Sequence, residues 1–137
     1  MTISKKCGKL LTPYRILENK YIDIENSRIQ AVADEPAKGA VVKDYSGLYV
    51  SPGFVDMHIH GGGGCEFWSD DADEIIQAGI FHGQHGVTSA LPTINFSTEP
   101  LLDAGLKAKL DGFAKAIEID DIGISLLGLH AEGPYVS

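Results

Sequence analysis

The first fifty residues alternate apolar and polar side chains over short stretches, as β-strands with one buried face do. Residues 21–25 and 28–32 both alternate, and the Asn-Ser pair at 26–27 supplies a two-residue turn, which predicts a β-hairpin. Residues 41–45 predict a further strand, followed by a turn at 46–47. A β unit of this size buries too little apolar surface to be stable alone.

Beyond residue 51 the pattern changes to buried strands that alternate with amphipathic helices. The predicted strands are the apolar runs 54–60, 87–91 and 122–129, the second of them ending at Pro92. The predicted helices begin at the acidic residues 70–73 and near residues 98–100. This alternation implies parallel strands with helices outside, so an open doubly wound sheet and a (β/α)8 barrel both fit.

The length favours an incomplete barrel over a complete domain. A barrel of about 250 residues uses about 31 residues for each β/α unit. Residues 52–137 therefore supply two to three units, after a β region at residues 1–51. The chain ends directly behind a strand, so we expect an N-terminal fragment that aggregates or stays partly unfolded in isolation.

Composition and charge limit the cellular compartment and the classes of binding partner that we expect. Hydrophobic residues make up 44% of the 137 residues and charged residues 22%, with no apolar run near the ~18 residues of a spanning helix and no secretory signal at the N-terminus. We expect a soluble cytoplasmic protein. The net charge of −8 argues against nucleic acid or an anionic membrane as a partner. The two cysteines suggest no disulfide framework.

The candidate chemistry begins with a pair of histidines, His58 and His60, at the end of the first apolar strand. Alternate residues of a strand point to the same face, so the two imidazoles project together. Neutral imidazoles are good ligands for Zn²⁺, Fe²⁺ and similar ions, although exposed strand histidines are also common without a metal. The glycines at 61–64 form either a flexible loop or a close backbone approach to a ligand.

An acidic side chain, Glu132, follows the third predicted strand. The Gly-Pro pair at 133–134 forces a turn directly after it. Glu132 is either a solvent-exposed acidic residue in a turn, without a function, or a metal ligand or general base. Because Glu132 and the two histidines follow parallel strands of one sheet, they are predicted to converge.

Other chemically notable side chains carry weaker expectations. His82 and His85 are expected at the C-terminal end of the first helix or on the surface, and His130 in packing or in support of a ligand. Cys65 is expected to be a small filler, because no base adjoins it. The aromatic pair at 67–68 is expected to cover the barrel end.

Three segments together resemble a known family. Residues 52–61 (PGFVDMHIHG) are similar to the opening of the amidohydrolase superfamily. Residues 86–93 (GVTSALPT) and 129–134 (LHAEGP) resemble the N-acetylglucosamine-6-phosphate deacetylases specifically. Residues 25–29 (ENSRI) are similar to the β-sandwich portion that the superfamily places before its barrel. The implied fold is α/β, the first part of a metal-dependent (β/α)8 barrel preceded by a small β-sandwich portion.

The resemblance also implies a reaction and its ligands. It implies metal-assisted hydrolysis of the N-acetyl group, giving acetate and glucosamine-6-phosphate, by a homodimer. Glu132 matches the glutamate that holds the catalytic divalent metal. His58 and His60 match a pair that holds the other ion of a binuclear site, so Zn, Fe or a similar metal is expected as one or two ions. Two further histidine ligands and the catalytic aspartate are expected downstream, so the chain alone is expected to be inactive.

Three alternatives stay open at this point. One is another amidohydrolase, such as a cyclic-amide hydrolase or an aminohydrolase. The second is a deacetylase for N-acetylgalactosamine-6-phosphate, because nothing in the sequence identifies the sugar epimer. The third is a non-catalytic fragment, which would bind metal weakly because His58, His60 and Glu132 alone form an open site.

Overall fold

The computed structural model describes residues 1–95, 104–119 and 123–133. The backbone clusters into two compact units, Met1–Pro52 and Gly53–Ser137. Neither described helix combines the length and the apolar character needed to cross a bilayer.

The first unit is a mixed four-stranded sheet. Its strands are β1 (Ile3–Leu11), β2 (Ile16–Glu25), β3 (Arg28–Ala33) and β4 (Val41–Val50), in the spatial order β3-β2-β1-β4. Strand β1 is antiparallel to β2 and parallel to β4, and β2 is antiparallel to β3. Cys7, Leu10 and Ile22 form its small core. The predicted hairpin is confirmed: Asn26 and Ser27 have φ values of 51° and 58°, as a two-residue turn between twisted strands requires.

The turn predicted at Ser46 and Gly47 is wrong, because β4 runs through both residues. Between the pairs Cys7↔Tyr45 and Lys9↔Tyr49 the register of β1 and β4 shifts, so the two residues form a bulge inside a continuous strand. The Ser46 N–H donates to the Asp44 side chain at 2.8 Å, which closes the bulge locally. Turn-forming residues thus disturb the ladder here without ending it.

This bulge makes Gly8 intolerant of a side chain. A Cβ on Gly8 would lie 1.9 Å from the Ser46 carbonyl oxygen, a backbone atom that cannot rotate away. We expect Gly8→Ala to lower the free energy of unfolding by about 1–3 kcal/mol, measured by urea denaturation. Gly47→Ala is the matched control, because its Cβ would meet nothing within 4 Å. Equal stability of the two variants would contradict this account.

The second unit alternates strands and helices. In chain order it contains β5 (Phe54–Ile59), β6 (Gly61–Gly62), β7 (Cys65–Glu66), α1 (Ala72–Gln84), β8 (Val87–Asn95), α2 (Ala104–Ile117), β9 (Ser125–Leu126) and β10 (His130–Glu132). Strand β8 is parallel to β5, β9 and β10, which confirms the predicted parallel pairing. Ser89 and Ala90 pair with both β5 and β9, so these two strands lie on opposite edges of β8.

The predicted start of the first helix is confirmed. Asp71 is the N-cap of α1, and its carboxylate accepts the N–H of Asp73 at 2.9 Å. The predicted start of the second helix near 98–100 lies outside the described residues. The third predicted strand, 122–129, is confirmed only at β9 (Ser125–Leu126). Strand β10 (His130–Glu132) lies beyond the predicted end, so Glu132 lies within a strand rather than after one, and Gly128 between the two strands has a φ of 144°.

Strand β8 does not end at Pro92 as predicted but continues to Asn95. Pro92 lacks an N–H and therefore cannot donate to a neighbouring strand. The register of β5 against β8 is irregular directly beside it, between the pairs Asp56↔Ala90 and Ile59↔Pro92. The sheet therefore accommodates Pro92 at an irregularity rather than terminating there.

One face of the parallel strands packs against the two helices. The buried cluster joins Ile59 of β5 and Ala90 of β8 to side chains of α1, α2 and the intervening loops: Phe67, Ile75, Ala78, Phe113, Ala116 and Ile124. This confirms an α/β unit. Because Ile59 points into this core, its sequence neighbours His58 and His60 project to the opposite face.

Candidate metal centre

Strands β5 and β10 bring His58, His60 and Glu132 together. The Nε2 atoms of both histidines lie 3.3 Å from Oε2 of Glu132. One ligand atom from each of the three side chains falls within a group whose members are at most 4.8 Å apart. The structure thus unites the three residues singled out as candidate ligands in the sequence, although they are up to 74 positions apart.

The donor set and its spacing fit a divalent cation. Two ligand atoms, each about 2.1 Å from a tetrahedral ion, lie about 3.4 Å apart. Both distances between a histidine Nε2 and Oε2 of Glu132, 3.3 Å, are close to that separation, whereas the group as a whole extends to 4.8 Å. The histidine side chains are about half exposed, 50% for His58 and 52% for His60, so solvent reaches the site. Imidazole nitrogens with one carboxylate oxygen suit zinc or iron.

Side chains from three places hold the backbone around the two histidines. The N–H of His58 donates to Asp56 Oδ1 at 3.1 Å. The N–H of Ile59 donates to Thr93 Oγ1 at 2.9 Å, and Nδ1 of His130 lies 2.7 Å from the Met57 carbonyl oxygen. Asp56 and Thr93 are not identifiable as such partners from the sequence, because neither carries a pattern that marks such a contact.

The glycines after His60 are explained by packing against α1. Gly63 and Gly64 have φ values of 64° and 87°. A Cβ on Gly62 would lie 2.4 Å from Nε2 of His82, and one on Gly63 would lie 2.8 Å from the Phe81 ring. The loop therefore approaches the helix more closely than any side chain would allow.

The remaining candidates lie outside the three-residue group. His82 donates from Nε2 to the Gly61 carbonyl at 3.0 Å, and Nδ1 of His85 lies 2.7 Å from the Phe81 carbonyl. Phe67 is fully buried in the cluster that also contains Ile59, and its N–H donates to the His60 carbonyl at 2.8 Å, directly after β5 ends. The Trp68 ring lies under the Lys109 ammonium at 5.2 Å.

Glu74 ties the loop after the glycines to the start of α1. Its carboxylate accepts the Ser69 hydroxyl at 2.6 Å and the Glu66 N–H at 2.9 Å. These hydrogen bonds, that from Ser69 foremost, hold the pKa of Glu74 below its ordinary value of 4.5. The ionised carboxylate is thus a fixed part of the loop structure.

The depressed pKa gives Glu74 a stability contribution with a defined pH dependence. Because the folded-state pKa lies below the unfolded value, the contribution is present above that value and is lost as pH falls through the folded pKa. We expect unfolding free energies of wild type and Glu74→Gln to converge in urea titrations as the pH falls below the ordinary glutamate pKa of 4.5. Glu118→Gln at an exposed site is the control. A constant difference between wild type and Glu74→Gln would contradict this role.

The sequence relatives are sugar-phosphate deacetylases. No protein-family model matches the chain. It is 29% identical over 135 residues to an N-acetylgalactosamine-6-phosphate deacetylase of Escherichia coli O157:H7, covering 98% of this chain and 34% of that protein. It is 29% identical to the N-acetylglucosamine-6-phosphate deacetylase of Bacillus subtilis and 32% identical to that of Homo sapiens. These alignments cover 93% and 90% of the chain and 33% and 27% of the relatives.

The solved structures agree. The N-acetyl-D-glucosamine-6-phosphate deacetylase of Mycobacterium smegmatis matches with a TM-score of 0.72 at 30% identity, over 100% of this chain and 36% of that one. A point mutant of that enzyme, in complex with N-acetyl-D-glucosamine-6-phosphate, matches with a TM-score of 0.70 at 30% identity, over 100% of this chain and 33% of that one. A D-hydantoinase shares the fold, with a TM-score of 0.62 at 22% identity, over 100% of this chain and 28% of that one.

These findings confirm the resemblance drawn from the sequence motifs. The chain is similar in sequence to N-acetylglucosamine-6-phosphate deacetylases, which are hydrolases, and it spans about a third of the length of the curated relatives it matches. Its α/β fold is that of amidohydrolase structures.

Proposed function

We propose that this chain is the N-terminal portion of a metal-dependent deacetylase that hydrolyses the N-acetyl group of N-acetylglucosamine-6-phosphate, releasing acetate and glucosamine-6-phosphate. One observation carries the proposal. His58, His60 and Glu132 converge at the carboxyl ends of parallel strands, in a chain similar over nearly its whole length to deacetylases of that substrate. Carboxyl ends of parallel strands are where α/β enzymes build their active sites.

The architecture proposed for the complete polypeptide is a (β/α)8 barrel. Residues 52–137 would form its first β/α units, and residues 1–51 would be strands of a β-sandwich domain. The exposed fractions of Val55 and Met57, 59% and 66%, support this, because both are apolar side chains of a strand that is buried on both faces in a barrel.

Three of the described side chains would hold the metal. His58, His60 and Glu132 would bind one or two divalent ions, with zinc or iron fitting the donor set. A bound ion of this kind activates water and polarises the substrate carbonyl. The aspartate that moves the proton to the leaving amine is proposed to lie beyond residue 137. We also propose a cytoplasmic homodimer, which light scattering on the purified enzyme would check.

The sugar epimer is the open choice within this function. The matched Escherichia coli relative is named for N-acetylgalactosamine-6-phosphate, and its 29% identity equals that of the Bacillus subtilis relative. Paired assays of acetate release from both 6-phosphates therefore decide the substrate. A preference for the galactose epimer would change the named substrate and leave the hydrolytic mechanism intact.

The first test is the intact mass of the purified polypeptide with its metal content, followed by an acetate-release assay. A mass near that of a full barrel enzyme, one or two divalent ions per chain and metal-dependent acetate release support the proposal. A cyclic-amide substrate in place of the acetylated sugar phosphate would assign the protein to another amidohydrolase activity. A mass near 14.7 kDa without metal would show a fragment related to the deacetylases only by ancestry.

A further inference from the structure

We infer that His130, together with Thr93, is a positioning residue that fixes the backbone carrying the two metal-binding histidines. This inference rests on the proposed metal site. Three consecutive residues of β5, Met57, His58 and Ile59, have a backbone group hydrogen-bonded to a side chain. Two of those side chains come from other strands, Thr93 from the adjacent strand β8 and His130 from β10, which lies on the far side of β8.

These contacts lie beside Pro92, where the pairing of β5 with β8 is irregular. Between Asp56↔Ala90 and Ile59↔Pro92, strand β5 has one residue more than β8, so the regular ladder is interrupted where His58 lies. Pro92 has no N–H and therefore cannot donate to β5 at this point. Because the backbone hydrogen bonds between β5 and β8 are interrupted here, other contacts must fix the orientation of His58 and His60.

His130 supplies one of these contacts from two strands away. It pairs with Thr93 of β8, on the edge opposite β5, and its ring reaches the Met57 carbonyl at 2.7 Å. Because a carbonyl oxygen only accepts hydrogen bonds, Nδ1 of His130 carries the hydrogen. The His130 ring also packs against the His58 ring, with their centroids 4.7 Å apart. His130 thus contacts both the backbone before His58 and the His58 imidazole itself.

Thr93 supplies the second contact, on the other side of His58. It is fully buried, and its hydroxyl accepts the Ile59 N–H at 2.9 Å. Pinning the Met57 carbonyl and the Ile59 N–H fixes the peptide planes on both sides of His58. The direction in which His58 and His60 face Glu132 is thereby set before a metal binds, and such preorganisation raises metal affinity.

The experiment compares Co²⁺ binding among matched variants of the purified protein, because Co²⁺ reports its ligand geometry through its visible spectrum. His130→Phe keeps a ring against His58 and removes the Nδ1 donor, so we expect Co²⁺ affinity to fall about 10- to 100-fold with an altered spectrum. His130→Asn keeps an N–H₂ donor on Cγ and should restore affinity and spectrum. Thr93→Val should weaken binding and Thr93→Ser should restore it.

A matched control is available at the C-cap of α1. His85 makes the same kind of contact, Nδ1 to the Phe81 carbonyl at 2.7 Å, but lies outside the three-residue group. His85→Phe should leave Co²⁺ affinity and spectrum unchanged. Far-ultraviolet circular dichroism of each variant separates a local effect from loss of the fold.

The outcomes separate this inference from the proposed function. If the unsubstituted protein binds no Co²⁺, the metal site itself fails and the inference fails with it. If the unsubstituted protein binds Co²⁺ and folded His130→Phe and Thr93→Val bind it with unchanged affinity and spectrum, only the positioning role is overturned. Failure of His130→Asn to restore what His130→Phe loses would likewise overturn the hydrogen-bond account.

Discussion

In the complete polypeptide, replacing Glu132 with glutamine is expected to lower the rate of acetate release by about a thousandfold or more. Oε2 of Glu132 is the atom that both histidine nitrogens approach at 3.3 Å, so it is the common point of the group. A neutral amide oxygen binds a divalent ion far more weakly than a carboxylate oxygen. Metal ions contribute several kcal/mol of transition-state stabilisation, and about 4 kcal/mol corresponds to about a thousandfold in rate.

Two measurements check this expectation. The kcat/KM for acetate release and the bound metal per chain should fall together in Glu132→Gln. Glu118→Gln removes the same charge at an exposed position near the end of α2 and should leave both quantities near wild type. A Glu132→Gln enzyme that keeps its metal and more than a tenth of its activity would remove Glu132 from the proposed ligand set.

Truncating Phe67 to alanine is expected to lower the free energy of unfolding by about 3–5 kcal/mol. Phe67 has no exposed surface and packs in the cluster that joins β5 and β8 to both helices. Its ring also stacks on His82, with centroids 6.0 Å apart. The expected loss of stability has two parts: the free energy of transferring the ring out of water is lost, and a cavity remains in the core.

Urea denaturation of wild type and variants measures the effect. Phe67→Leu retains most of the apolar volume and should cost clearly less than Phe67→Ala. The neighbouring Trp68→Ala is a second comparison, because Trp68 is only partly buried. A loss below about 1 kcal/mol in Phe67→Ala would show that the cluster is not the stabilising core of this unit.

Features that follow from local residue patterns and from the order of the elements were predictable from the sequence. The hairpin follows from two alternating segments around Asn26 and Ser27, and the start of α1 follows from the acidic cap at Asp71. Parallel pairing follows from the order of apolar strands and helices. The predicted convergence of His58, His60 and Glu132 needed only strand alternation and a shared sheet edge.

Features that depend on what faces a residue across space could not be predicted. Ser46 with Gly47 and Pro92 resemble the ends of strands, yet both lie inside continuous strands, because neighbouring strands and side chains satisfy the interrupted ladders. Phe67 follows the glycine-rich loop, so nothing local distinguishes an exposed aromatic from the fully buried ring that the structure shows.

The sequence by itself therefore determined the order and type of the main elements and the identity of the candidate ligands. Local propensity and side-chain periodicity act over a few residues, and a single sequence records them directly. Only the tertiary structure decided how His58 and His60 are held. The contacts from Thr93 and His130 join strands that are distant along the chain, and they lie where the ladder between β5 and β8 is irregular beside Pro92.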